Sequence, residues 1–153
     1  MSANLARSVA RLAAVQALYQ MEVSGATTAD VIADFTAGKL PRETEASYTD
    51  AEGDLDLFKI LVEKAVDRQA TLDRAIARHL SKGWRLERID AVARAILRSG
   101  AAELESRTDI PVAVVIDEYV EIAKAFFDGP EPGFVNATLD AAARDLRPTG
   151  QGA

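Results

Sequence analysis

The sequence predicts an all-α protein of seven helices. Alanine is abundant, and no stretch alternates apolar and polar residues for long enough to suggest a strand. Apolar residues instead recur at helical spacing between glycine, proline and capping signals. The chain has 153 residues, of which 48% are apolar and 27% charged. That composition fits one folded, soluble domain with a core of its own. The reading places this domain over 1–148, with a frayed, disordered tail at 149–153.

The first helix is expected over about 4–23, with Leu5, Val9, Leu12, Gln16 and Tyr19 in one sector. Arg7 and Arg11 fall roughly opposite, four residues apart on one face. Ser24-Gly25 ends this helix. Thr27 caps the second, with Asp30 closing a short capping box, and Gly38 and Pro41 stop it. Residues 39–53 read as a polar loop. A third helix (about 54–69) carries Leu57, Leu61 and Ala65, and a fourth (about 71–81) carries Leu72, Ile76 and Leu80 before Lys82-Gly83. The fifth (about 86–106) lines up Ile89, Val92, Ala93, Ile96, Leu97, Gly100 and Leu104. Gly100 costs about 1 kcal/mol against alanine in a helix, so its central place on the apolar face implies close approach of another helix. Thr108 or Asp109 is expected to cap the sixth helix, with Pro111 in its first turn and its end near Phe127. Asp128 to Gly133 reads as a rigid turn, and the seventh helix spans about 134–146.

The absence of cysteine excludes disulfides, zinc–thiolate sites, iron–sulfur clusters and thiol catalysis. A single histidine, His79, excludes a histidine-rich metal site and reads as a surface or capping residue. No apolar run is long enough to span a membrane. Met1-Ser2-Ala3-Asn4 leads directly into a helical pattern, so no signal peptide is expected and the protein is read as cytoplasmic. The net charge of −6 taken whole disfavours nucleic acid, but its distribution does not. Eight bases against three acids lie between Arg68 and Arg98, and the first 21 residues hold Arg7 and Arg11 with no acid. An acidic chain with basic segments fits a confined anion-binding patch.

Catalytic constellations are scarce. Asp117, Glu118 and Glu121 are neighbours on the sixth helix, but nothing converges on them in sequence, and they read as a solvated acidic face. Gly129 and Gly133 flank two prolines, which suits a turn better than a phosphate cradle. The reading is therefore not an enzyme, and no cofactor is expected. Binding is better supported. Arg7 and Arg11 share a face of the first helix. Arg94 and Arg98 share a face of the fifth, opposite its apolar stripe, and such pairs can straddle phosphates. Tyr19, Phe126, Phe127 and Phe134 are candidates to stack on single-stranded bases. Gln16, inside an apolar sector, must find a partner or mark a groove that is not fully buried.

Five motifs then occur in order. They are Ala14-Val-Gln-Ala-Leu-Tyr19, Ala95-Ile-Leu-Arg98, Asp109-Ile-Pro111, Ile122-Ala-Lys124, and Phe134-Val-Asn136 followed by Leu139-Asp140. Together they resemble the bacterial NusB family of transcription antitermination factors, over about residues 5–148. The resemblance implies a seven-helix NusB-like fold of two three-helix lobes and an RNA-binding factor without catalysis. It implies pairing with NusE, a small-subunit ribosomal protein, recognition of single-stranded boxA RNA in ribosomal RNA leaders, and entry into the antitermination complex on RNA polymerase. Arg7 and Arg11 match the family's RNA-contacting first helix, and Tyr19 matches its tyrosine. Arg98, Phe126 and Phe134 match positions near the RNA surface, and Arg94 matches a base of the family pattern. The second lobe, around the fourth to sixth helices, is where NusE is held. The sequence departs from the family pattern in four places. Ser8 and Val9 stand where further arginines are common, Gly133 stands for a lysine, Ala137 for a glycine, and Ala93 for an acid.

Two rival readings belong to other classes. One is a protein-interaction module with little RNA affinity of its own. The other is a homodimer that hides its arginine surface until a partner arrives.

Overall fold

The computed structural model describes residues 3–38, 53–80 and 84–148. Among them are seven α-helices and no strand. These are α1 (Ala3–Ser24), α2 (Thr28–Thr36), α3 (Leu55–Asp67), α4 (Gln69–Ala77), α5 (Ala91–Ser106), α6 (Val112–Phe126) and α7 (Glu131–Leu146). A 3-10 turn, Leu86–Arg88, precedes α5. Most of the expected 39–53 loop, the Lys82-Gly83 stop and the 149–153 tail lie outside the described residues.

Local chemistry sets the boundaries. The Thr27 hydroxyl accepts from the Asp30 amide while the Asp30 carboxylate accepts from the Thr27 amide, so the capping box opens α2. Gly38, at φ +70°, follows the last turn in the left-handed region. Asp54 caps α3 by accepting from the Leu57 amide. Four helices are bounded differently from the sequence reading, and α4 ends at Ala77 rather than near 81. Asp90 accepts from the Val92 and Ala93 amides and starts α5 there, leaving Leu86–Arg88 as a separate turn. Pro111, with no side-chain cap, precedes α6, because the Asp109 carboxylate is taken by Arg107. The seventh helix begins at Glu131, since Pro132 is tolerated in a first turn whose amides have no helical partner.

The core forms two clusters that α1 joins. Ala10, Ala13, Ala14 and Ala17 of α1 meet Val31 of α2 and Leu57, Phe58, Leu61 and Val62 of α3. Leu12 and Val15, on another side of α1, enter a larger cluster built from α3 to α7. Every residue from Val9 to Ala17 is buried, so α1 is packed all round rather than laid on a surface. Alanine on the first face lets α2 and α3 approach closely. At Gly100 an added Cβ would lie 2.8 Å from Leu139 Cδ1 and 3.4 Å from the Tyr119 ring. The close approach expected of α5 is thus made by α7 and α6. None of the described helices is long and apolar enough to cross a membrane.

Candidate nucleic-acid interface

The central turns of α1 carry a buried ionic network. Arg11 is only 2% exposed. Its Nε donates to Glu103 Oε1 at 2.9 Å, its Nη2 to Glu103 Oε2 at 2.7 Å, and its Nη1 to Glu118 Oε1 at 2.7 Å. The Tyr119 hydroxyl donates to Glu103 Oε1 at 3.0 Å and lies 2.9 Å from Ser99 Oγ. The Ser8 hydroxyl donates to Glu118. Burial, followed by the Glu103 charge, pushes the Tyr119 phenol well above its ordinary range, so it stays a neutral donor. This arrangement corrects the expectation of an exposed Arg7–Arg11 pair: Arg11 ties α1 to α5 and α6. It also corrects the acidic face on α6. Asp117 and Glu121 are exposed, but Glu118 is part-buried and turned inward.

A second correction concerns Arg94, expected opposite the apolar stripe of α5. It is buried. Its Nη1 donates to the carbonyls of Leu86 and Ile89 at 3.0 and 2.8 Å, and its remaining nitrogens engage Glu22. Arg94 therefore clamps the 3-10 turn and joins it to the end of α1. Arg98 is half-buried and makes a bidentate pair with Asp73, both distances 2.9 Å. Glu22, Asp73, Arg74, Glu87, Arg94 and Arg98 line one open depression in which the two signs balance.

The aromatic candidates fare differently. Tyr19 and Phe126 are part-exposed and border a groove of about 120 Å³ with Val15, Gln16, Gln20, Val23 and Val92. Gln16, singled out from the sequence as a polar residue in an apolar sector, is 8% exposed there. Its Nε2 is buried without a hydrogen-bond partner. An unmet buried donor costs about 1–3 kcal/mol, so such groups are uncommon in a resting fold. Phe134, in the first turn of α7, is part-exposed and stacks on Trp84 with centroids 5.2 Å apart. Phe127 is also part-exposed and packs against the larger core cluster.

Arg7 is part-exposed, and its charge is among the influences holding the Asp109 carboxyl low. Twelve residues of helix place Arg7 roughly 18 Å along α1 from Tyr19 and about 120° around it. The structure therefore brings Tyr19, Gln16 and Phe126 together and sets Arg7 apart from them.

Two features escaped the sequence reading. Glu103, fully buried, has a legible signal: it falls seven positions after Ile96, on the apolar face of α5. Trp84, 53% exposed, has none beyond its residue type. His79, read as a surface or capping residue, places Nε2 2.8 Å from Asp145 Oδ2. No group of three or more metal-ligating side chains occurs among the described residues.

Comparison with known proteins agrees with this architecture. The NusB family model matches residues 8–144. The transcription antitermination protein NusB of Caulobacter vibrioides is 57% identical over 141 residues, covering 92% of this chain and 94% of that protein. The protein of the same name from Maricaulis maris is 51% identical over 142 residues, covering 93% and 88%. Among solved structures, T. maritima NusB superposes with a TM-score of 0.72 at 30% identity, covering 93% of both chains. A chain in a crystal structure of a plectonemic RNA supercoil superposes with a TM-score of 0.73 at 26% identity, covering 98% of this chain and 100% of that one. With the helices, the two-cluster core and the sequence relatives in agreement, the chain belongs to the NusB family of transcription antitermination proteins.

Proposed function

We propose that the protein binds single-stranded boxA RNA of ribosomal RNA leaders together with NusE, as a non-catalytic part of the antitermination complex on RNA polymerase. The observation that carries this reading is the placement of the aromatic residues. Tyr119 and Phe58 fill the core, whereas Tyr19, Phe126 and Phe134 keep part of their surface open on α1, α6 and α7. Open aromatic faces are what unstacked bases need. That a structural neighbour comes from a crystal structure of an RNA supercoil is in keeping with this reading.

Arg11 and Arg94 support the surface from beneath in this proposal. Arg7 and Arg98 remain the candidates to meet phosphate, with Arg98 exchanging its bond to Asp73 for one to RNA. The test is fluorescence anisotropy with a boxA-like single strand, with and without NusE. Tyr19→Ala and Phe126→Ala are each expected to cost about 1–3 kcal/mol of RNA binding, the range for loss of one base–aromatic stack. Full affinity in both variants would remove the aromatic groove from the RNA site.

A further inference from the structure

We infer that the groove between α1, α5 and α6 takes a single pyrimidine base, and that Gln16 reads it by donating from Nε2 to a ring carbonyl oxygen. The inference rests on the RNA-binding reading above and adds to it a recognition residue and a base class. Three features of the groove select the occupant. Its surface is largely apolar, and Tyr19 and Phe126 give it aromatic walls, which suit a planar ring. Its free volume of about 120 Å³ is on the scale of one six-membered ring. For comparison, an engineered apolar cavity of about 150 Å³ takes up benzene. The third feature is the polar one. Gln16 is more than nine-tenths buried, and its Nε2 lacks any partner. An apolar side chain from a protein partner would leave that donor unmet. Uracil and cytosine each carry a ring carbonyl on a single ring, whereas adenine has two rings and no carbonyl.

The polar complementarity is local and independent of phosphate. Gln16 lies on α1 between Val15 and Ala17, with no arginine bordering the groove. Gln16 therefore acts on which base is held, while the charged residues act on how strongly any strand is held and on its salt dependence.

The experiment compares oligouridylate and oligoadenylate of equal length in anisotropy titrations at low salt. Wild-type protein is set against Gln16→Met, which keeps the side-chain length and removes both amide poles. Since the groove is apolar, Gln16→Met is expected to melt no lower than wild type. Wild type is expected to favour oligouridylate, and the uridylate-to-adenylate ratio is expected to fall roughly tenfold in the variant, the scale of one base-edge contact. Its salt slope should be unchanged. In wild type, the Gln16 side-chain amide NMR signals should shift on adding oligouridylate and stay in place with oligoadenylate. An unchanged ratio in a variant that still binds RNA would overturn the role of Gln16 and leave the RNA reading standing. Failure of wild type to bind either oligonucleotide would overturn both.

Discussion

At Arg11 a residue that reads as a surface cation from its neighbours in sequence becomes the centre of the interior. Its guanidinium meets two oxygens of Glu103 and one of Glu118, all within 3.1 Å. Removing one partner of a buried pair leaves the other charge uncompensated and typically costs 3–5 kcal/mol. Arg11→Ala is therefore expected to lower stability by about that amount in urea unfolding. The salt slope of RNA binding by the folded fraction should stay as in wild type. A stable variant with a flattened slope would instead return Arg11 to the RNA surface. Gly100 makes a matching case in the apolar core. With Leu139 2.8 Å from the position of an added Cβ, Gly100→Leu forces α5 and α7 apart. Overpacking of this kind costs roughly 1–3 kcal/mol, which a lowered thermal melting point would register.

The helix ends show how local signals resist or yield to tertiary competition. The Thr27–Asp30 capping box opens α2 as expected, because both partners lie within one turn and nothing else claims them. Asp109 fails as a cap because Arg107 holds both its oxygens. The backbone amide of Thr27, then its hydroxyl, keeps the Asp30 carboxyl below its ordinary value. The Arg107 hydrogen bond takes Asp109 to about 2. Each depressed carboxyl contributes stability above its unfolded value of 3.8 and loses it as pH falls through its folded value. Acid should therefore loosen α2 and the α5–α6 corner below about pH 4. Hydrogen exchange of the first-turn amides of α2, followed from pH 5 to pH 2, checks this; constant protection over that range would count against the capping account. Thr27→Ala should cost about 1 kcal/mol of local stability at neutral pH and lessen the acid response without abolishing it, since the backbone amide that holds the Asp30 carboxylate remains.

On the scale of the whole molecule, four cations of the basic segment are paired within the fold among the described residues. Arg68 pairs with Glu105, Arg78 with Asp145, Arg94 with Glu22 and Arg98 with Asp73, so the basic segment presents less free cation than its composition suggests. A net charge of −6 acts against a polyanion, and the free protein should hold RNA weakly at physiological salt. A basic ribosomal partner would cover acid and add phosphate contacts of its own. Linkage then requires RNA and NusE to strengthen each other by the same factor. Calorimetric titration of a boxA-like strand into the protein alone and into its NusE complex measures that factor. Equal affinities in the two titrations would remove the coupling.

The all-α class, the seven helices, the α2 capping box and the crowding at Gly100 were legible in the sequence. Each rests on periodicity or on residues close along the chain. The five ordered motifs likewise carried the family, and the Gln16 anomaly pointed to the groove. The burial of Arg11 and Arg94 was not legible. A one-helix projection has one apolar face, but α1 is enclosed by α2 and α3 on one side and by α5 and α6 on others. A cation in such a helix is interior when carboxylates 92 and 107 positions away arrive beside it. Sequence spacing along α1 sets the direction of Arg11, Gln16 and Tyr19. What each direction meets was decided only by tertiary packing, because it is the neighbouring helices that supply either a counter-charge or an open groove.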